Sequence, residues 1–240
     1  MGQNSRTIKF LLAVIGIIFF GLLPAIAMAQ EKGLEAELLI FEEVPIVITA
    51  AKYEQPITEA PATISVITAE DIKQSGSRDI QEALRNLPGI EVMVSKASQI
   101  DVGVRGDNAS LYNRLLVMVD GRSVYQDFYG MTEWPFLEIG LEEIKRIEVI
   151  RGPGSALYGA NAFTGVVNII TKTPEEMKGD RVVSGMGNYH SRYIDMYHGD
   201  SAKDWSYKVS TGWREINRWA NQDEDSLDVA RFNSVLEHKL

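Results

Sequence analysis

The chain contains no cysteine and only three histidines among its 240 residues. Without cysteine there is no disulfide framework, no thiolate metal centre and no cysteine nucleophile. His190, His198 and His238 lack metal-ligand spacing and read as single surface histidines. Basic residues are in short supply, with 24 Lys and Arg against 33 Asp and Glu and a formal charge of −9. A nucleic-acid binder needs a basic face, so that class is excluded. Asp223, Glu224, Asp225 and Asp228 cluster, but the spacing and glycine of a calcium loop are missing, and a solvated loop is expected. Met177, Met186 and Met196 are too scattered for a soft-metal site and read as gap fillers. No cofactor or metal is called for. What remains is 45% hydrophobic, enough for a sizeable core.

One long apolar run is present, at the N-terminus. Arg6 and Lys9 precede the run Phe10 to Ile26, and Ala27-Met28-Ala29 has the A-x-A form of a cleavage site. Residues 1–29 therefore read as a signal peptide. The alternative is an uncleaved anchor, since the run approaches spanning length. Pro24 and the small residues before Gln30 favour cleavage, which would remove two positive charges and leave the protein outside the inner membrane.

The rest is organised around Ile147 to Lys172, IEVIRGPGSALYGANAFTGVVNIITK. Ile147 and Val149 alternate with Glu148 and Ile150, the pattern of a partly buried strand. Val166 to Ile170 is a nearly continuous apolar, β-branched run, as in a strand covered on both faces. Between them lie Gly152, Gly154, Gly159 and Gly165, which admit turns that residues with a Cβ reach only at a cost. The glycines do not form a phosphate loop. No Lys-Ser/Thr pair follows them, and Pro153 with the wide Gly154–Gly159 gap breaks the dinucleotide spacing.

This stretch, RGPGSALYG followed by GVVNIITK, closely resembles the end of the plug domain of TonB-dependent outer-membrane receptors. Earlier segments match the same pattern in order: ALRNLPGIEV, then IDVGVRG (Ile100–Gly106), then LLVMVDG (Leu115–Gly121). The resemblance implies an α+β plug, a small mixed sheet with short helices, followed by the first strands of a transmembrane β-barrel of about 22 strands. The expected domains are a signal peptide (1–29), a periplasmic linker with the TonB box (30–52), a plug (53–174) and an incomplete barrel (175–240).

Read from the residues, Val44 to Ala51 is an extended segment in which Pro45 removes one ladder donor, suiting an edge strand or a free strand. Ile46, Val47, Ile48 and Thr49 have strong β preference. Under the resemblance, Ile46, Val47, Ile48, Thr49 and Ala50 are similar to the TonB box, which pairs with TonB in the periplasm. The bland alternative is an ordinary first strand of the domain. Arg105 and Arg151 each precede a glycine. From the residues alone they are solvated arginines at strand ends, because an unpaired buried charge is costly. The resemblance implies ion pairs to glutamates on the inner barrel wall.

Elsewhere, Pro61 to Ile67 reads as a strand, and Thr68-x-x-Asp71 as a capping box for a helix ending at Gly76. Ser77 is placed to cap a second helix bearing Ile80, Leu84 and Leu87 on one face, stopped by Pro88-Gly89. In Val124 to Trp134, Tyr125, Phe128, Tyr129 and Trp134 form an aromatic loop that either faces ligand or packs on the barrel wall. Trp205 to Arg214 alternates strictly, with polar Ser206, Lys208 and Ser210 on the other face, the pattern of a transmembrane β-strand. Arg192–His198 and Leu227–Leu236 are less regular strands.

The resemblance implies active import of a scarce, bulky ligand such as a siderophore–iron complex, haem or cobalamin. Its partners would be TonB with the proton-driven ExbB–ExbD complex, outer-membrane lipid, and a metal-chelate or cobalamin-type ligand. Two other classes stay open: a secreted enzyme using Ser155 or Tyr158 in the Gly-rich loop, and a free periplasmic plug-like binding module.

Overall fold

A computed structural model describes residues 44–107, 109–110, 113–217 and 225–238. The signal peptide, most of the linker, and Asp223 and Glu224 lie outside the described residues. The chain divides into Met1–Val44 and Pro45–Leu240, and the second unit carries the elements below.

Strand β1 (Ile46–Val47) pairs with β2 (Gln55–Pro56) in a two-residue antiparallel ladder. Then come β3 (Ile64–Thr68), helix α1 (Ala69–Ser75) and helix α2 (Ile80–Arg85). The expected capping box is present at α1, where Thr68 and Asp71 bond reciprocally, and the helix ends on Gly76 in the left-handed region. At α2 the cap is Asp79, which accepts from the Glu82 amide, and not Ser77. The Ser77 hydroxyl bonds that of Ser75.

The hairpin β4 (Ile90–Val94) and β5 (Ile100–Val104) stands apart from the main sheet. That sheet runs β3-β8-β9-β6-β7, with β6 (Leu115–Val119), β7 (Arg122–Ser123), β8 (Ile144–Arg151) and β9 (Gly165–Thr171). β6 and β9 are parallel and the other pairs antiparallel, a mixed sheet. Between β8 and β9 lies α3 (Ser155–Tyr158), a single turn. Asp120 and Gly121 both have positive φ and join β6 to β7, the backbone that a two-residue hairpin turn requires.

Both faces of this sheet are covered. Ile67, Leu84, Val117, Ile147, Val149 and Ile169 belong to the larger core with the helices and the β4–β5 hairpin. Ala50, Leu116, Met118, Ile150, Ala162 and Val166 form a second, smaller core on the other side. A Cβ at Gly165 would sit 2.6 Å from the Ile150 carbonyl, so only glycine lets β9 lie this close to its neighbour.

Four strands complete the chain in an antiparallel meander: β10 (Gly179–Met186), β11 (Arg192–Ala202), β12 (Trp205–Asn217) and β13 (Ser226–His238). β10 escaped the sequence reading because two glycines and Asp-Arg interrupt its alternation. In β12 the alternation holds: Ser206, Lys208 and Ser210 are buried, while Trp205 and Tyr207 are exposed.

Candidate functional site

The N-terminal segment is seated on the second face of the main sheet. Only Ile46 and Val47 are strand; Thr49 to Ala51 turn, with the Lys52 amide donating to the Ile48 carbonyl at 2.8 Å. Val47, Thr49 and Ala50 are buried, whereas Ile46 is 54% exposed.

Thr49 is held at every polar atom. Its amide donates to Glu148 Oε2 at 2.8 Å and its hydroxyl donates to the same oxygen at 2.6 Å. That hydroxyl accepts from Asn168 Nδ2 at 3.1 Å, and the Thr49 carbonyl accepts from the Tyr158 hydroxyl at 2.7 Å. The Ile48 amide adds a third donor to Glu148 Oε2 at 3.0 Å.

Glu148 is wholly buried. Arg146 Nε donates to its other oxygen at 2.8 Å, so the carboxylate has a counter-charge as well as three donors from the segment. A buried charge so supplied meets the condition for being tolerated in an interior. Glu148 and Asn168 stand directly opposite one another across β8 and β9, and Asn168 Oδ1 also accepts from the Gly121 amide at 3.1 Å. Burial first, and the Glu148 carboxylate second, raise the Tyr158 pKa above the ordinary phenol value, keeping its hydroxyl a donor.

The sequence reading missed Glu148. Alternation placed it opposite the buried Ile147 and Val149, hence toward solvent. The second face is covered by a segment about a hundred positions away in sequence (|i−j| = 99 for Thr49), which local periodicity cannot register.

The motif arginines meet at one end of the sheet. The Arg105 amide donates to the Gly89 carbonyl at 2.8 Å, and Arg151 Nη1 donates to the Pro88 carbonyl at 2.9 Å. A Cβ on Gly152 would lie 3.8 Å from Arg105 Nη1. The three turns PG, RG and RGPG therefore converge, with Arg105 and Gly106 both at positive φ. Among the described residues neither arginine forms an ion pair, and Arg151 Nε is buried without an acceptor.

Contacts between the main sheet region and the meander run largely through carboxylates. Glu143, 1% exposed, accepts from Gly140 N at 2.8 Å, Ser210 Oγ at 2.9 Å and Asn233 Nδ2 at 3.1 Å. Glu142 pairs with Arg181 at 2.6 Å. Lys208 Nζ donates to the Lys172 carbonyl at 2.6 Å, and the Ala97 amide to Asp225 at 2.7 Å. A Cβ on Gly140 would collide with the Tyr197 hydroxyl, so glycine is what lets this segment approach the meander. Asp225, expected in a solvated loop, is 8% exposed and spent on this seam.

The aromatic loop splits. Phe128 is 90% exposed and Tyr129 56%, their rings edge-to-face at 5.0 Å, with Tyr125 half-buried beside them. Trp134 is a core residue at 5% exposure and leaves that group: Pro135 sets a 3-10 turn that directs the indole into the larger core. In the Gly-rich loop, the Ser155 hydroxyl donates to the Ala162 carbonyl at 3.1 Å and the Tyr158 hydroxyl to Thr49. Both are committed to backbone.

Residues 56–166 match the family described as TonB-dependent Receptor Plug Domain. The chain is 37% identical over 145 residues to the vitamin B12 transporter BtuB of Vibrio vulnificus, covering 60% of this chain and 23% of that protein. It is 41% identical over 136 residues to the iron-regulated outer membrane virulence protein of Vibrio cholerae, covering 55% of this chain and 20% of that one. Its fold is similar to the outer-membrane ferripyoverdine receptor of Pseudomonas aeruginosa, with TM-score 0.66 and 18% identity over 82% of this chain and 25% of that one. The siderophore receptor PirA of the same organism gives TM-score 0.55 and 26% identity, over 76% of this chain and 33% of that one. The chain thus spans between a fifth and a quarter of the length of these curated relatives.

Proposed function

Because this chain belongs to the TonB-dependent receptors through the plug domain it carries, we propose that it serves active uptake of a scarce, bulky ligand across the outer membrane of a Gram-negative cell. The ligand belongs to the siderophore–iron, haem or cobalamin class. In this reading residues 1–29 are an export signal, 30–52 carry the TonB box, 53–174 are the plug, and 175–240 begin the barrel. No covalent chemistry is performed by the chain.

The observation that carries the reading is the seating of Ile46 to Ala50. The segment is held on the plug by side-chain contacts to Thr49 and a ladder of only two residues, β1 with β2. Such a segment detaches without dismantling the sheet beneath it. Once free, its β-branched residues suit addition to the sheet edge of TonB, which ExbB–ExbD would energise. Ligand binding and TonB pairing then act on two distinct sites, and each changes the affinity of the other by the same factor. Tyr125, Phe128 and Tyr129 are the aromatic candidates for meeting ligand, and Arg105 and Arg151 for pairing with carboxylates on the barrel wall.

The test is cysteine crosslinking in a chain that has no cysteine of its own. Single cysteines at Ile46 to Ala50 of the full chain in outer-membrane preparations are exposed to a purified periplasmic TonB domain. Crosslinks confined to these positions and strengthened by one ligand class support the proposal. Absence of crosslinks with siderophore–iron, haem and cobalamin alike overturns it.

A further inference from the structure

We infer that Glu148, Asn168 and Tyr158 form a latch specific for the threonine at position 49, and that this latch sets how often the Ile46–Ala50 segment is free. The inference rests on the reading of that segment as the detachable one. It adds which side chains hold the segment and which residue they recognise.

The latch follows from a complete accounting of one residue. Thr49 has an amide, a hydroxyl that can both donate and accept, and a carbonyl. All are bonded, and every partner is a plug side chain rather than a backbone ladder. Valine in its place would fill the same volume and lose both hydroxyl bonds. Beyond the Thr49 and Ile48 contacts to Glu148, residues 46 and 47 supply the only strand pairing of the segment.

The arrangement also keeps the open state attainable. When the segment leaves, Glu148 loses three donors but retains Arg146 on its other oxygen. The carboxylate is then left charge-compensated and wetted, not orphaned in an apolar core, so opening does not carry the full cost of an unpaired buried ion. Without Arg146 the donors of the segment would be the main stabilisation of the carboxylate, and the segment would seldom leave. Glu148, Tyr158 and Asn168 come in chain order from β8, the Gly-rich turn and β9. A displacement of the 147–172 stretch at any of these three positions therefore reaches Thr49 directly. These three are positioning residues, since they act through their contacts to Thr49.

The experiment reads local opening, without TonB. A cysteine at Ala50, 2% exposed, is labelled with a maleimide in the full chain, with a second reporter at Ala83, 1% exposed on the core side of α2. Glu148→Ala is expected to raise the labelling rate at position 50 by about tenfold or more, as the loss of a hydrogen bond to a charged group implies. Thr49→Val gives a smaller rise, Thr49→Ser leaves it near the parent value, and position 83 stays protected throughout. Combining Glu148→Ala with Thr49→Val adds little to Glu148→Ala, because the two share one contact.

If position 50 stays protected in both Glu148→Ala and Thr49→Val, or if position 83 opens in step with it even in Thr49→Val, the latch is overturned. If position 50 opens as expected but TonB crosslinks to no residue of the segment, the latch stands and the TonB-box reading fails.

Discussion

The plug sheet and the barrel meander bury polar side chains by opposite rules. In β8 and β9 of the plug sheet the buried residues are apolar apart from Glu148 and Asn168, and each of these two has assigned partners. In β12 polar residues face inward at three successive alternate positions, Ser206, Lys208 and Ser210, as a matter of pattern, and only some touch the plug. A lone buried polar group is thus a specific device, and a periodic one is part of a lining. The first kind should be intolerant of substitution and the second forgiving.

The largest expected effect lies in the sheet itself. Ile147→Ala opens a cavity at a fully buried position and is expected to cost about 2–5 kcal/mol. Urea titration of maleimide access to a core cysteine would show it; an unchanged midpoint would mean the sheet is not a tightly packed unit. Next comes Glu143→Ala, which leaves Gly140 N, Ser210 Oγ and Asn233 Nδ2 without their acceptor. An expected cost of about 2–4 kcal/mol follows from orphaned buried donors. It should loosen plug from wall while position 50 stays protected, separating this glutamate from Glu148.

About 1 kcal/mol is expected for Thr68→Ala, which removes the cap of α1. A similar loss applies to Tyr158→Phe, which deletes one hydrogen bond to Thr49. Tyr158 also supplies a pH signature. Its folded pKa is raised, by burial and then by Glu148, so its contribution is fully present below the ordinary phenol value of about 10. It is lost as pH rises through the higher folded value, so labelling at position 50 should accelerate in the alkaline range in the parent and less so in Tyr158→Phe. The smallest effect is expected on the outer face of the meander. Phe232→Leu, at a position 63% exposed, should change stability by no more than about 0.5 kcal/mol. A large loss there would mean that face is not interchangeable lipid-type surface.

Much of this was legible in the sequence because it is local. The β8–turn–β9 unit, the Thr68–Asp71 box, the Asp120-Gly121 turn and the alternation of β12 depend on neighbours within a few positions. What was not legible depends on distant ones. Glu148 reads as solvent-facing until the N-terminal segment is laid over it, and Asp225 reads as loop until Ala97 meets it. Asp79 displaced Ser77 as a cap by two positions, where either side chain satisfies the local rule. Trp134 reads as one more loop aromatic, yet the proline after it turns the ring inward.

The place of β3 at the margin of the sheet has a mechanical consequence. A tension applied through residues 46–50 runs down the chain to Ile64, the first residue of β3, whose ladder to β8 begins at Ile64 with Ile150. Load directed across the strand there would act on one rung at a time and unzip β3, instead of shearing the whole ladder at once. Force enters the sheet at an edge strand, while β8 and β9 in the interior keep their neighbours on the far side. Yielding would thus be graded, strand by strand from the N-terminal side, at loads well below those needed to break the sheet as a block.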